Sequence, residues 1–230
     1  MSHRARCRAF VMNATEDDWS TSRIVRLSVG GLVPIRILER PESPWGDYGD
    51  ILRHGMMSHL GPASDGLAQL ERTGPFLPPI SFPGFDIVVT DGFRTKLAES
   101  GLSGFGFQAV HKARIVDLPW HTWDLNAEDP AEYPESGEPE DYIFERAHSP
   151  DLADRLGPIW RLVIPEAADI EREQNEDRWN DRIYLVVSSW SGADIFHARG
   201  VGYYFVSDAA QAWLAKEAGD NVSFRECLLR

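Results

Sequence analysis

The sequence has no run approaching the roughly 18 consecutive apolar residues that a membrane-spanning helix needs. Its basic N-terminus, MSHRARCRAFVM, lacks the apolar stretch and the cleavage site of a signal peptide. We therefore expect a cytoplasmic protein. At 230 residues the chain is long enough to build a sizeable core, and its 43% hydrophobic and 26% charged residues are typical of a globular protein.

Cysteine is scarce, since Cys7 and Cys227 are the only two and lie near opposite ends of the chain. No CxxC pair occurs, which argues against a zinc site built on thiolates. A reducing cytosol favours two buried thiols, and whether the two cysteines pair is left open. His121 and Asp124 of HTWD have no third ligand at a suitable spacing. We therefore predict neither a metal site nor any other cofactor.

Basic residues are missing from one long stretch, because no Lys or Arg occurs between Ile115 and Glu145. Outside this stretch 26 acidic residues face 23 basic ones, whereas the whole chain has a formal net charge of −13. Such a surface repels phosphates and acidic membranes, so we expect no nucleic-acid or membrane partner. It attracts and steers a basic protein. The ten acidic residues of the stretch are Asp117, Asp124, Glu128, Asp129, Glu132, Glu135, Glu138, Glu140, Asp141 and Glu145.

Familiar catalytic patterns are also missing. The chain has no phosphate-binding G-x-x-x-x-G-K-[ST] loop, no dinucleotide fingerprint between a strand and a helix, and no G-x-S-x-G nucleophile elbow. Its carboxylates are abundant, but a solvated acidic loop does not give two of them the different pKa values that acid–base catalysis needs. We therefore assign no catalytic residue and expect no enzyme. The alternative is a small hydrolase that uses the carboxylates near His121 and Asp124.

The local patterns predict a mixture of strands and helices. Hairpins are expected over residues 23–38 and 191–206, and helical segments over residues 48–60, 65–73 and 165–181. Ser149 and Pro150 are suited to the start of a short helix. We predict that residues 1–84 form an N-terminal hairpin and helical region, and that residues 85–230 form an α/β region with two similar strand–helix–strand units and an acidic loop at 124–141. A single compact domain is the open alternative.

Two stretches repeat one pattern at a constant offset. DIVVTDGFRTKLAES and YYFVSDAAQAWLAKE align Thr90 with Ser207 and Asp91 with Asp208, and both continue into a second strand. In each stretch the hydroxyl or the aspartate can cap a new helix. We therefore predict an α+β (mixed α/β) fold in which two strand–helix–strand units pack on mixed or antiparallel sheet. A true internal repeat and two similar local solutions are both open.

The C-terminal stretch SGADIFHARGVGYYFVSDAAQAWLAKEAGDNVSF resembles a signature of immunity proteins from bacterial, myxobacterial-type polymorphic toxin systems. In that family, whose better-known members carry doubled CXXCG motifs, an aspartate precedes a phenylalanine, a V-[ST]-x-x-A-x-x-W-L helix and a strand. FDIVVTDGFRTKLAESGLSGFGF resembles a stretch of related immunity families. This chain lacks every CXXCG cysteine, so no zinc site is carried over. The matching positions are Asp194, Phe196, Val206, Ser207, Ala210, Trp213 and Leu214.

The resemblance implies a protein that binds and neutralises a cognate toxin made by the same cell, and the charge pattern favours a basic toxin. Trp120 and Trp123 flank the acidic loop, and tryptophan is enriched at the energetic centres of interfaces. The oligomeric state is left open. The predicted contact surface consists of Trp120, Trp123, Asp124, Glu128, Asp129, Glu132, Glu135, Glu138, Glu140 and Asp141.

Overall fold

The computed structural model describes residues 34–57, 60–174 and 182–230. Within these ranges the chain forms five α-helices and thirteen strands, which confirms the predicted α+β class. The helices are α1 (Asp47–His54), α2 (Asp91–Glu99), α3 (Asp141–Phe144), α4 (Pro150–Arg155) and α5 (Asp208–Ala218). The strands are β1 (Ile35–Glu39), β2 (Met56–Met57), β3 (Ala68–Gly74), β4 (Ile80–Ser81), β5 (Val88–Thr90), β6 (Gly106–Asp117), β7 (Ile159–Val163), β8 (Glu166–Glu173), β9 (Arg182–Val186), β10 (Ile195–Ala198), β11 (Tyr204–Ser207), β12 (Ser223–Glu226) and β13 (Leu228–Leu229).

The strands form two mixed sheets. One sheet has seven strands in the order β12-β1-β11-β10-β8-β9-β13, and the other has six in the order β2-β3-β6-β7-β5-β4. Most neighbours are antiparallel, and the parallel pairs are β10 with β8, β9 with β13, and β3 with β6. Strands that precede residue 84 pair with later strands in both sheets, because β1 pairs with β11 and β3 pairs with β6.

The seven-stranded sheet closes into a barrel. Its outer strands, β12 and β13, are separated in the chain by Cys227 alone. Six inter-strand steps of about 4.8 Å would place the outer strands of an open sheet about 29 Å apart. Two residues of chain span at most about 7 Å, so the sheet must curl until its edges meet. The interior is filled by Ile35, Ile37, Ala168, Leu185, Phe196, Ala198 and Phe205.

The two segments with similar sequences have the same topology. In the first unit, β5 leads through α2 to β6, and β7 lies between the two strands and is antiparallel to both. In the second, β11 leads through α5 to β12, and β1 lies between them in the same way. The helix of each unit packs on its first strand and on the inserted strand. Each unit is therefore a split strand–helix–strand motif.

Of the two predicted cap residues in each unit, the hydroxyl residue caps the helix. The Thr90 Oγ1 atom accepts a hydrogen bond from the Phe93 N–H at 3.2 Å, and the Ser207 Oγ atom accepts one from the Ala210 N–H, also at 3.2 Å. The following aspartates lie in the first turn, where a negative charge opposes the helix dipole. Ser149 caps α4 in the same way through the Leu152 N–H, as predicted.

The two helices share one hydrophobic core. Leu97 of α2 and Leu214 of α5 are buried in the same cluster, and the rings of Phe93 and Trp213 meet edge to face at 5.5 Å. Full burial of a leucine contributes about 2 kcal/mol to the free energy of unfolding. The helix pair therefore holds the barrel and the six-stranded sheet together.

Asp194 joins the two units by polar contacts. Its carboxylate accepts hydrogen bonds from the Ser103 N–H at 2.9 Å, from the Ser103 hydroxyl at 2.8 Å and from the Ser207 hydroxyl at 2.7 Å. Ser103 follows α2, whereas Ser207 caps α5. Phe196, Val206, Ala210 and Leu214 are buried. Most positions that carry the family resemblance therefore have a structural role in this chain.

Two of the predicted helices are wrong. Residues 65–73 contain most of β3, which lies between β2 and β6 with Leu70 to Gly74 buried, so pairing on both edges overrides the helical preference. Residues 165–181 contain β8, in which Ala168 and Ile170 pack on the barrel core while the charged residues lie outside. The helix predicted over residues 48–60 stops at Gly55, whose φ of 70° ends α1.

Some predictions fall wholly or partly outside the described residues. Of the hairpin predicted over residues 23–38, only the second strand is described, as β1. Cys7 and residues 175–181 also lie outside. Cys227 is half-buried against the barrel core, and burial raises the pKa of its thiol. The hairpin predicted over residues 191–206 is confirmed by the antiparallel pairing of β10 and β11.

Candidate functional site

The acidic segment, residues 124–141, connects a 3₁₀ turn at Trp120–Thr122 with helix α3. Seven of its eight carboxylate side chains are exposed, and Asp141 is half-buried. Asp117 and Glu145, beyond its two ends, extend the negative surface. The exposed carboxylates are those of Asp124, Glu128, Asp129, Glu132, Glu135, Glu138 and Glu140.

Three aromatic side chains bind the backbone of the acidic segment at regular intervals. The Trp45 Nε1–H donates to the Ala127 carbonyl at 2.9 Å, and the Tyr142 hydroxyl donates to the Glu132 carbonyl at 2.6 Å. The Tyr48 hydroxyl donates to the Gly137 carbonyl at 2.5 Å. These carbonyls lie five residues apart along the segment. We call Trp45, Tyr48 and Tyr142 the aromatic clamp.

The start of helix α1 positions two members of the clamp. Trp45 has a φ of 62° and Gly46 a φ of 59°, so the chain turns sharply just before the helix. A left-handed conformation costs a residue with a side chain about 1–2 kcal/mol. Contact between the Trp45 and Trp123 rings, whose centroids are 5.8 Å apart, and the indole hydrogen bond to Ala127 offset that cost.

The other end of α1 is fixed by strand β3. The Thr73 hydroxyl donates to the Leu52 carbonyl at 2.9 Å, and the Arg72 guanidinium donates to the Arg53 carbonyl at 3.2 Å. Both carbonyls belong to the last turn of the helix, where the dipole favours a positive charge. Arg72 is fully buried, and its desolvation lowers the pKa of the guanidinium to about 9, so the group is charged at neutral pH.

The two predicted tryptophans lie beneath the acidic segment. Trp120 is 3% exposed and packs edge to face on Phe76 at 5.5 Å. Trp123 is half-buried between Trp45 and Tyr142. Their rings therefore belong to the aromatic layer that supports the segment, and Trp120 offers almost no surface to a partner in this conformation.

Half of the exposed or half-buried carboxylates bind groups within the segment or next to it. Asp124 accepts from the Asn126 N–H at 3.0 Å, Asp129 accepts from the Tyr133 hydroxyl at 2.6 Å, and Asp141 accepts from the Ser136 hydroxyl at 2.5 Å. Glu132 forms an ion pair with Arg146. The hydrogen bond to Asp129 is the main cause that raises the pKa of Tyr133 to about 12, so this phenol stays protonated and donates.

Four glutamates form no side-chain hydrogen bond or ion pair within the described ranges 34–57, 60–174 and 182–230. They are exposed, and we call them the four free glutamates: Glu128, Glu135, Glu138 and Glu140. Glu145 helps to present them, because its carboxylate accepts hydrogen bonds from the Glu135 N–H at 3.0 Å and from the Ser136 N–H at 3.1 Å. Their carboxylates are available to cationic groups of a partner.

A concavity of about 540 Å³ lies at the C-terminal end of the segment. Its wall combines tyrosine rings with carboxylates, and one cation, Arg146, already neutralises Glu132. Such a surface can accept hydrogen bonds from lysine or arginine side chains. The lining residues are Glu132, Tyr133, Pro134, Glu135, Asp141, Tyr142, Glu145 and Arg146.

His121 and Asp124, the residues of the alternative hydrolase hypothesis, do not form a pair. The exposed His121 ring stacks on Phe76 with centroids 5.3 Å apart, and the Asp124 carboxylate bonds to the Asn126 N–H. Among the residues that the structure describes, no hydrogen bond joins them, and no three His, Cys, Asp or Glu side chains converge as metal ligands.

The aromatic clamp is a feature that the sequence does not predict. Trp45 and Tyr48 are 82 and 89 residues away from the carbonyls that they bind, and no local pattern connects them with the acidic segment. The PWGDYG stretch that contains both residues shows only the glycines of a loop. Tyr142 lies beside the segment, but its pairing with Glu132 depends on the fold of the loop between them.

No protein-family model matches this sequence, and a search of curated proteins finds no significant match. The likeness to toxin immunity proteins therefore depends on the quoted motif residues. In the described part of the chain, no helix has both the length and the apolar character needed to cross a bilayer.

Proposed function

We propose that this protein is a cytoplasmic immunity protein that neutralises a cognate toxin by direct contact through its acidic segment. One observation carries the proposal: the four free glutamates are exposed on a segment whose backbone is held at three points by the aromatic clamp. The motif resemblance supports the same function. The partner that fits this surface is a basic protein, because unpaired carboxylates attract lysine and arginine side chains.

The charge distribution favours rapid and selective association. Opposite charges across an interface raise association rate constants from a neutral range of about 10⁵–10⁶ M⁻¹s⁻¹ towards about 10⁸ M⁻¹s⁻¹ at low ionic strength. A toxin that acts on nucleic acid needs a basic substrate surface, and a carboxylate-rich segment placed over that surface would block substrate access. Neutralisation then requires binding alone and no chemical step in the immunity protein.

A charge-reversal experiment tests the proposed surface. The variant Glu128→Lys/Glu135→Lys/Glu138→Lys changes three of the four free glutamates and raises the net charge from −13 to −7. The matched control, Glu42→Lys/Glu99→Lys/Asp154→Lys, makes the same change at exposed positions outside the acidic segment. Both variants are co-expressed with the product of each reading frame that flanks the gene, and cell growth is measured.

We expect the control to protect cells and the acidic-segment variant to fail. With purified proteins, the acidic-segment variant should also associate at least about tenfold more slowly at low ionic strength. Equal protection and equal association rates for the two variants would refute the assignment of the surface. If no flanking product stops growth, or if the wild type neither binds the toxic product nor protects cells from it, the immunity function is wrong.

A further inference from the structure

We propose that Tyr48 and Tyr142 are positioning residues that pre-order the acidic segment for its partner. The expected effect on toxin binding rests on the proposed function, whereas the ordering of the segment does not. Both phenols donate to backbone carbonyls of the segment and form no hydrogen bond with its carboxylates. They therefore fix the path of the chain without neutralising its charge. Trp45 makes the third contact of the same kind.

The clamp contacts lie next to the groups that would meet a partner. The Ala127 carbonyl immediately precedes Glu128, and the Gly137 carbonyl immediately precedes Glu138. Between them, the Glu145 carboxylate holds the Glu135 N–H. In Glu135 the backbone itself is held by a hydrogen bond, and in Glu128 and Glu138 the backbone of the preceding residue is held.

The source of the donors explains why the segment can be ordered despite its composition. A stretch rich in acids and prolines buries too little apolar surface to compensate for its own conformational entropy. Here the apolar surface is supplied from outside: Tyr48 contacts the rings of Tyr133 and Tyr142 at 5.0 and 6.1 Å, and α1 is held in turn by β3. The order of the segment thus depends on residues distant in sequence.

Two separate kinetic roles follow for the glutamates and the clamp. The free glutamates act at long range and set the association rate constant and its dependence on salt. The clamp removes the ordering cost of binding, so its loss should raise the dissociation rate constant and leave the electrostatic steering unchanged. Tyr→Phe substitutions change no charge at neutral pH and keep the ring, which makes the two roles separable by experiment.

The first arm of the test uses the free protein and amide hydrogen exchange. Tyr48→Phe and Tyr142→Phe each remove one hydroxyl donor, and Tyr204→Phe is the matched control because its hydroxyl donates to the remote Phe85 carbonyl at 2.6 Å. One hydrogen bond corresponds to about a 2- to 13-fold change in a local opening equilibrium. We expect exchange at Glu135, Ser136 and Gly137 to accelerate by that factor in the two clamp variants, with no change in α5 and no change in the control.

Unchanged exchange at these three amides in both clamp variants would overturn the inference, because the segment would then keep its order without the phenols. Acceleration that spreads equally to α5 would also overturn it, since the tyrosines would then act on global stability instead of on the segment. This arm needs no toxin, so its result is independent of the proposed function.

The second arm measures binding to the same proteins of the flanking gene product that proves toxic in the growth assay. We expect Tyr48→Phe and Tyr142→Phe to raise the dissociation rate constant by about 2- to 13-fold each, with association rates and their salt dependence as in the wild type. A loss confined to the salt-dependent association rate would contradict the separation of roles. Absence of binding by the wild type would instead refute the proposed function and leave the exchange result to decide whether the clamp orders the segment.

Discussion

His54 is expected to make the stability of this protein depend on pH. The side chain is 1% exposed at the end of α1, and its Nδ1 atom accepts a hydrogen bond from the Phe82 N–H at 3.3 Å. This bond needs an unprotonated Nδ1 atom, so the ring is neutral in the folded protein. Burial is the main cause that lowers its pKa, and the nearby cations Arg53, Arg72 and Arg40 lower it further, to about 3.

The size and sign of the effect follow from proton linkage. The unfolded chain binds a proton at His54 near pH 6.5, whereas the folded chain does so only near pH 3. Between these pH values the unfolded state holds one more proton than the folded state. The stabilising contribution of the neutral His54 is therefore fully present above pH 6.5 and is lost as the pH falls towards 3. From pH 7 to pH 5 the expected loss from His54 alone is about 2 kcal/mol in the free energy of unfolding.

The substitution His54→Asn isolates this contribution. The Asn Oδ1 atom can accept the hydrogen bond from the Phe82 N–H, and the amide does not titrate. Denaturant unfolding at pH 7, 6 and 5 should show that the wild type loses about 2 kcal/mol more than the variant over this range. Substitution of the exposed His121 by Asn serves as the control and should keep the pH dependence of the wild type. Parallel pH curves for the wild type and His54→Asn would refute the assignment of a buried neutral imidazole.

Two further predictions concern the joints of the fold, and denaturant unfolding measures both. Gly104→Ala would place a methyl carbon 2.2 Å from the Ile195 carbonyl oxygen, at a residue with a φ of 92°. We therefore expect the free energy of unfolding to fall by about 3 kcal/mol or more. In the control Gly106→Ala the nearest atom is 4.0 Å from the new methyl carbon, so the free energy of unfolding should change by less than about 1 kcal/mol. Similar effects of both substitutions would contradict the tight packing at Gly104. Thr90→Ala removes one helix cap and should cost about 1 kcal/mol. Ser207→Ala removes a cap and also the hydrogen bond to Asp194, so it should cost about 2 kcal/mol. No loss in either variant would show that its hydroxyl is not needed as a cap.

Local chemistry was the part of the fold that the sequence predicted well. Ser149 is predicted as a helix cap, and Thr90 and Ser207 are predicted as caps together with the aspartates that follow them, because a hydroxyl or carboxylate before a helical pattern can accept a hydrogen bond whatever the rest of the chain does. The hairpin of β10 and β11 also follows from apolar runs separated by glycines. The sequence similarity predicts the strand, helix and second strand of each unit. It does not predict that a strand from a distant part of the chain, β7 in the first unit and β1 in the second, lies between the two strands.

Long-range pairing explains the errors. The stretch that forms β3 contains Glu71 and Arg72, whose charges suggest a surface helix, yet both are buried because α1 and β6 supply polar partners. The barrel closes because its two outer strands, β12 and β13, are joined by the single residue Cys227. No local pattern encodes these contacts.

In the candidate site, too, the sequence predicts the local features and misses the long-range contacts. The absence of lysine and arginine between Ile115 and Glu145 identified the acidic surface from composition alone. Composition did not reveal which carboxylates are engaged internally, such as Glu132 with Arg146, or that the backbone is held by Trp45 and Tyr48 from the other side of the sequence. Those facts decide which glutamates can meet a partner.

The association rate constant between this protein and the flanking gene product that proves toxic, measured over a range of salt concentrations, tests directly whether the acidic segment receives a basic partner. We expect fast association that slows steeply as salt increases, and a much weaker salt dependence for Glu128→Lys/Glu135→Lys/Glu138→Lys than for the control with the same net charge. A wild-type association rate that does not respond to salt, or equal slopes for the two variants, would contradict the claim that the acidic segment receives a basic partner.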